Sequence, residues 1–277
     1  MNKAFIDTTI LTDVLIKSAE AKKNALDALK KFTITELPVF AIKEFKAGPL
    51  KNFAWMHNKL VIVNSYAKAL EALQRMSRTP RRYTTSTALE ALREAQGSIS
   101  KQTPGSLAEK YGENASMDKI LCDEFRLSIK TAIMKAWRRR RRVTTDIVLP
   151  LPCYLEVAPY EKRGLIEIDP KTCNPYNECS LAPHLRIKLD ELTKLRDAIK
   201  DSEKPEDQRR SRTLRQIYRK PKSPIEEEDC LNLGDAVFVL FAPNDSIIMT
   251  TNIADYKPLA EAIGKVAKTP QDLLSQP

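Results

Sequence analysis

Asp7, Glu44, Asp235 and Asp255 stand at comparable places in the chain, each beside an apolar run. Asp7 follows Phe5-Ile6 and precedes two hydroxyls, Thr8 and Thr9. Glu44 lies in "FAIKEF", Asp235 opens "DAVFVLFA", and Asp255 follows the stretch Thr250-Thr251-Asn252. A carboxylate buried without a partner is expensive. Several gathered in one place repel each other unless a cation sits among them. Oxygen-rich clusters of this kind suit the hard ions Mg²⁺ and Mn²⁺. The plainer role for the same residues is to cap helices or to sit as surface charges. "SMDKILCDEF" offers Asp118 and Asp123 as competitors for the third place. Asp235 is preferred because the threonine-rich block follows it closely, and Asp118 is expected to cap the helix starting beside Ser116.

Such acids meet only if the elements carrying them bring them to one edge. Residues 4–16 read as a strand passing into a helix, with Asp7-Thr8-Thr9 at the junction and Asp7 a possible N-cap. Residues 19–31 form an amphipathic surface helix, and Phe32–Gly48 a short strand that turns helical after Pro38. "KLVIVN" (59–64) reads as a strand and 66–77 as a helix, giving β-α-α-β-α, the start of a parallel α/β sheet. After 224 the same grammar returns. A helix opens just before Asp235, "SIIMTTN" is a buried strand, and a last short helix ends near Gly264 as a C-cap. In a parallel sheet the strand C-termini gather at one edge, where sites form.

The middle of the chain breaks this pattern. Met117, Leu121, Phe125, Ile129, Ile133 and Trp137 recur every four residues, predicting one long amphipathic helix that ends in Arg138–Arg142. A helix around 86–96, a hairpin over 147–168 turning around Pro159–Gly164 and a helix over 185–200 are expected, with 204–224 a charged connector. Residues 78–223 hold 31 Lys+Arg against 20 Asp+Glu, whereas the rest of the chain holds 15 against 16. All of the +10 net charge therefore lies in the middle, and Arg75 is the only arginine outside it. A near-neutral shell around a basic centre suggests two modules of different purpose.

"FIDTTILTDVLI", "ITELPVFAIKEF", "LGDAVFVLFA" and "IIMTTNIADYKPLAEAIG" together resemble the four blocks of a PIN domain, the metal-dependent nuclease fold of VapC-type toxins and other RNA-processing factors. The resemblance covers roughly residues 1–77 and 224–277. It implies an α/β fold with a parallel sheet flanked by helices, split by a mainly helical basic insertion at 78–223. It also implies metal-assisted hydrolysis of phosphodiesters, with RNA preferred to DNA as the expected substrate. Asp7, Glu44, Asp235 and Asp255 would hold Mg²⁺ or Mn²⁺, supported by Thr8, Thr9, Thr250 and Asn252. Asn252 stands where many members have Asp, so either it or Asp255 completes the site. The implied role is a toxin or defence effector with an antitoxin or assembly partner, and members are commonly dimers. The alternative is a catalytically inactive PIN-like module that binds RNA or docks a partner.

Arg138, Arg139, Arg140, Arg141 and Arg142, with Arg209, Arg210, Arg212 and Arg215, are the candidate nucleic-acid contacts, because Arg–phosphate pairing is strong and salt-sensitive. Tyr83 and Tyr218 lie among arginines, where they could stack on bases. An acidic protein partner is the competing occupant. Cys153, Cys173, Cys179 and His184 could form a zinc site, but the Cys173-x5-Cys179 spacing is wider than the usual knuckle. Five cysteines fit a reducing compartment. Asp7 and Asp13 interrupt any leader-like apolar stretch, and no run approaches the roughly 18 residues of a membrane span. A cytoplasmic protein with no membrane partner is expected.

Overall fold

The computed structural model describes residues 3–17, 19–77, 82–112, 114–148, 157–168, 181–220 and 225–275. The chain runs β1 (Lys3–Ile6), α1 (Thr8–Leu15), α2 (Ala19–Leu29), β2 (Ile34–Pro38) and α3 (Val39–Phe45). A π-helical turn then leads into α4 (Lys51–Val63) and α5 (Tyr66–Ser77). The middle supplies α6 (Arg82–Ile99), α7 (Pro104–Tyr111), α8 (Met117–Arg139), β3 (Asp146–Val148), β4 (Tyr160–Lys162) and β5 (Leu165–Glu167). It continues through α9 (Ala182–Arg186), α10 (Leu189–Ile199) and α11 (Pro205–Arg219). The chain closes with α12 (Glu227–Phe241), β6 (Ser246–Met249), α13 (Ile253–Ala262), β7 (Val266–Lys268) and α14 (Pro270–Leu274).

Five strands form one sheet in the order β3-β2-β1-β6-β7, with every pairing parallel. After β1 the chain moves to β2 on one side and only later to β6 on the other. The crevice outside the C-terminal ends of β1 and β6 is therefore the topological switch point, where open α/β sheets hold ligands. The strands read as short apolar runs because both faces are covered by helices; Ala4, Phe5, Ile6, Ile248 and Met249 are fully buried. Phe238 packs edge-to-face on Phe5, Phe40 and Tyr256 at 6.3, 5.5 and 6.0 Å. This aromatic cluster ties strand β1 to α3, α12 and α13 directly beneath the crevice.

Residues 59–64, expected as a strand, are the end of helix α4. The β-branched run misleads, but Phe53, Met56, His57 and Leu60 form a buried helical stripe while Ile62 is 68% exposed. Asn64 ends the helix in the left-handed conformation (φ 45°, ψ 37°). Residues 204–224, expected as a connector, contain the 15-residue helix α11, whose buried face carries Asp207, Arg210, Thr213, Leu214 and Ile217. Two of those positions are charged, so an apolar period could not reveal it. The long helix is present as α8, but Ser116 caps it, accepting the Lys119 N–H at 3.3 Å. Asp118 instead accepts the Ala67 N–H at 2.8 Å and holds the start of α5.

Strands β4 and β5 form the expected hairpin, turning through Arg163 and Gly164 at positive φ. The Asn58 amide pins it to α4, donating to the Ile166 carbonyl at 2.9 Å and accepting its N–H at 2.7 Å. Strand β3 begins the stretch 147–168 expected to form that hairpin, but it pairs elsewhere. It lies inside 78–223 yet forms an edge of the main sheet, with Thr145 and Thr35 exchanging hydroxyl and backbone bonds of 2.9–3.0 Å beside it. Strand β7, at the other edge, was missed.

Candidate active site

Asp7 is the N-cap residue of α1, and its carbonyl accepts from Ile10 and Leu11, yet its carboxylate makes no capping bond. The side chain instead turns into the crevice, 2% exposed. Three hydroxyls donate to it: Thr250 at 2.7 Å and Thr9 at 2.8 Å to Oδ2, and Tyr256 at 3.0 Å to Oδ1. The direction of two of these bonds is set by backbone. Thr250 Oγ1 accepts the Asn252 N–H at 2.9 Å and Thr9 Oγ1 accepts the Thr251 N–H at 3.0 Å, which leaves each hydroxyl proton for Asp7. Burial nevertheless dominates and raises the Asp7 pKa.

Glu44 arrives from the last turn of α3. Thr8, next to Asp7, donates to its Oε2 at 2.7 Å. Its pKa is pushed up to about 8, first by burial and then by the charges of Asp235 and Asp7. Asp235 starts a fresh helical segment within α12, because Gly234 breaks the helix at φ 33°, ψ −111°, a conformation that suits glycine. Its pKa is raised to about 6 by burial, and Arg210 only partly offsets this. A Cβ on Gly234 would lie 3.9 Å from both Glu44 Oε1 and Arg210 Nη2, so these two groups face one point. The Tyr256 hydroxyl sits among Asp7, Asp235 and Glu44; burial first and then these three charges raise its pKa well above the phenolic value. The structure therefore brings Asp7, Glu44 and Asp235 to one crevice.

Asp255 stands at the rim. It accepts from Lys204 Nζ at 2.6 Å and from Asn252 Nδ2 at 2.8 Å. Burial raises its pKa, but Lys204, Asn252 and Arg210 outweigh that and hold it below the ordinary value. Asn252 thus serves Asp255 rather than replacing it.

Arg210 corrects one expectation. It does not share the exposed face of its helix neighbours: its side chain is 8% exposed, and it bridges Asp207 at 2.9 Å and Asp235 at 2.6 Å. Arg209, Arg212 and Arg215 do lie on the exposed face of α11, and Tyr218 is 49% exposed. Arg138, Arg139, Arg141 and Arg142 are exposed at the end of α8. Arg140 folds back, stacks 3.5 Å from the Trp137 ring centroid and donates to the Trp137 carbonyl. Cys153, Cys173 and Cys179 lie outside the described residues, as does the Tyr83 side chain. His184 packs edge-to-face on Phe241 at 5.9 Å. Tyr256, Lys204 and Gly234 were not foreseen as site residues. An aromatic in an apolar helix gives no signal separating a core ring from a hydroxyl donor.

The donor set fits a hard divalent cation. It is all oxygen; burial first, with repulsion from neighbouring carboxylates added at Glu44 and Asp235, raises all three pKa values, so these acids would give up protons to take an ion. Among the described residues no three such side chains are close enough to ligate one ion directly. The carboxylates would hold a hydrated ion in part through its waters, which suits Mg²⁺. No protein-family model, curated protein or solved structure matches this chain.

Proposed function

We propose that the chain is a PIN-like endonuclease that hydrolyses RNA with Mg²⁺ or Mn²⁺. One observation carries this reading: Asp7, Glu44 and Asp235 come from three separate elements to the switch-point crevice, linked there through Thr8, Tyr256 and Arg210. When bound, the ion would polarise the scissile phosphate and lower the pKa of a water for in-line attack. Asp7, Glu44 and Asp235 would hold it. Thr9, Thr250 and Tyr256 keep the Asp7 carboxylate in one orientation, as a positioned site requires. Arg210 stands beside Asp235, where its guanidinium offsets part of the charge on that carboxylate. The outward arginines of α11, Arg209, Arg212 and Arg215, extend positive charge away from the crevice along one helix face and would follow the strand's backbone.

Labelled RNA and DNA panels incubated with Mn²⁺ test this directly. RNA should be cut, chelation should stop it, and Asp7→Asn should lower the rate by at least about 100-fold, the scale lost with a key charged group. Absence of any cleavage, or cleavage undiminished in Asp7→Asn, overturns the reading. A second reading is a binding module without catalysis. It is favoured by the cations already held by Asp235 and Asp255, Arg210 and Lys204, both at 2.6 Å. It requires salt-sensitive RNA binding with no Mn²⁺ uptake.

A further inference from the structure

Opposite the crevice, at the far end of α1, lies a cavity of about 350 Å³ between the last turn of α1, the middle of α2 and the end of α8. Lys17, Lys22, Lys135, Arg139 and Arg142 line it, and no acidic residue does. None of the five is ion-paired with a carboxylate among the described residues; Lys17 feels Asp13 only at longer range. The floor is aliphatic: Val14, Leu15, Leu26, Ala132, Ala136 and Val143. The C-terminal dipole of α8 offsets part of the charge of Arg139, but one helix end carries only about half an elementary charge. Five cations around a low-dielectric wall focus a positive potential that calls for an anion.

We infer that this cavity binds a small organic anion with a phosphate head and an aliphatic body. The head would meet the five cations and the body would cover the floor, the division of labour of ordinary ligand pockets. Inorganic phosphate would leave the apolar floor wet. A nucleic-acid strand fits less well, because no aromatic side chain lines the cavity to stack a base, and a strand's phosphates would leave the aliphatic floor uncovered. The site is separate from the acidic crevice. Asp7 caps the start of α1 while Val14 and Leu15 lie about seven or eight residues on, roughly 10–12 Å along a helix rising 1.5 Å per residue. The inference therefore stands whether or not the chain cuts RNA.

Calorimetric titration of the full chain without divalent metal tests it, using inorganic phosphate, hexyl phosphate and a short single-stranded RNA as probes. Hexyl phosphate should bind at least tenfold more tightly than inorganic phosphate, since each buried methylene adds about fourfold. The double reversal Lys22→Glu/Arg139→Glu should weaken it at least tenfold. Ala132→Leu, which fills the floor, should erase the preference for hexyl over inorganic phosphate while leaving phosphate binding in place. Melting curves confirm that the variants fold, and Lys135→Gln gives a milder charge change should either not. Capture by vesicles containing phosphatidic acid, set against hexyl phosphate in solution, tells a lipid headgroup from a soluble ligand, and either supports the chemistry. Equal affinity for hexyl and inorganic phosphate overturns the inference. So does RNA binding that depends on Lys22 and Arg139 and is indifferent to both hexyl phosphate and Ala132→Leu.

Discussion

Asp7 carries its charge in a shell of hydroxyls rather than cations, which positions it without neutralising it. Glu44 and Asp235, with pKa values near 8 and 6, have to give up protons before they can hold an ion. Mn²⁺ affinity should therefore rise between about pH 6 and 8, up to roughly tenfold per unit for each proton displaced. Calorimetry in two buffers of different ionisation enthalpy would read that proton release. Asp13, buried on α1, has its pKa raised to about 6, chiefly by burial. An acid raised in the folded state stabilises the fold fully below its unfolded pKa, and this is lost as pH climbs through the folded value. Asp13→Asn should thus raise the melting temperature at pH 7.5, by about 1–2 kcal/mol of stability, and the gain should vanish near pH 4. Thermal denaturation across that range checks both ends.

Helix α11 is the element that ties the basic middle of the chain to the acidic crevice. Arg210→Gln would leave Asp207 and Asp235 buried without their shared cation, a loss on the order of 3–5 kcal/mol. If Mn²⁺ binds at Asp235, it should restore part of that loss, so the melting shift on adding Mn²⁺ should be larger in the variant than in the parent. Equal shifts would mean that the arginine and the ion do not share the carboxylate. Gly234→Ala tests the kink in α12: neighbours leave room for a methyl group, so its cost comes from the backbone at φ 33°, about 1–3 kcal/mol. The sequence announced α1, α3, α8 and the acid-bearing strand ends because each shows its period locally. It hid α11, whose buried face is half polar, and disguised the end of α4, where a β-branched run follows a helical stripe.

At the level of the whole molecule, residues 78–223 contribute to the same core as the flanking segments. Strand β3 edges the sheet, and Phe125, Ile129, Ile133 and Trp137 of α8 belong to the one buried cluster that includes β1 and α12. Cys122 on α8 donates to the Leu60 carbonyl of α4 at 3.5 Å. Replacing 78–223 by a short linker should therefore expose the α4 face and the β2 edge. Circular dichroism on heating should show no cooperative transition for that version and a clear one for the full chain. Among the described residues no helix is long and apolar enough to cross a membrane.

By itself the sequence determined the α/β grammar, the strand ends that carry Asp7 and Thr250, the helical setting of Glu44 and Asp235, and the crowding of arginine into the middle. These follow from neighbours a few residues apart, where period and capping act. Tertiary structure alone decided which arginine turns inward. Arg209 and Arg210 are adjacent, and only the phase of α11 against α12 sends one to solvent and the other to Asp235, 25 residues away. It likewise placed the Tyr256 hydroxyl on Asp7 across 249 residues, a contact that no local pattern encodes.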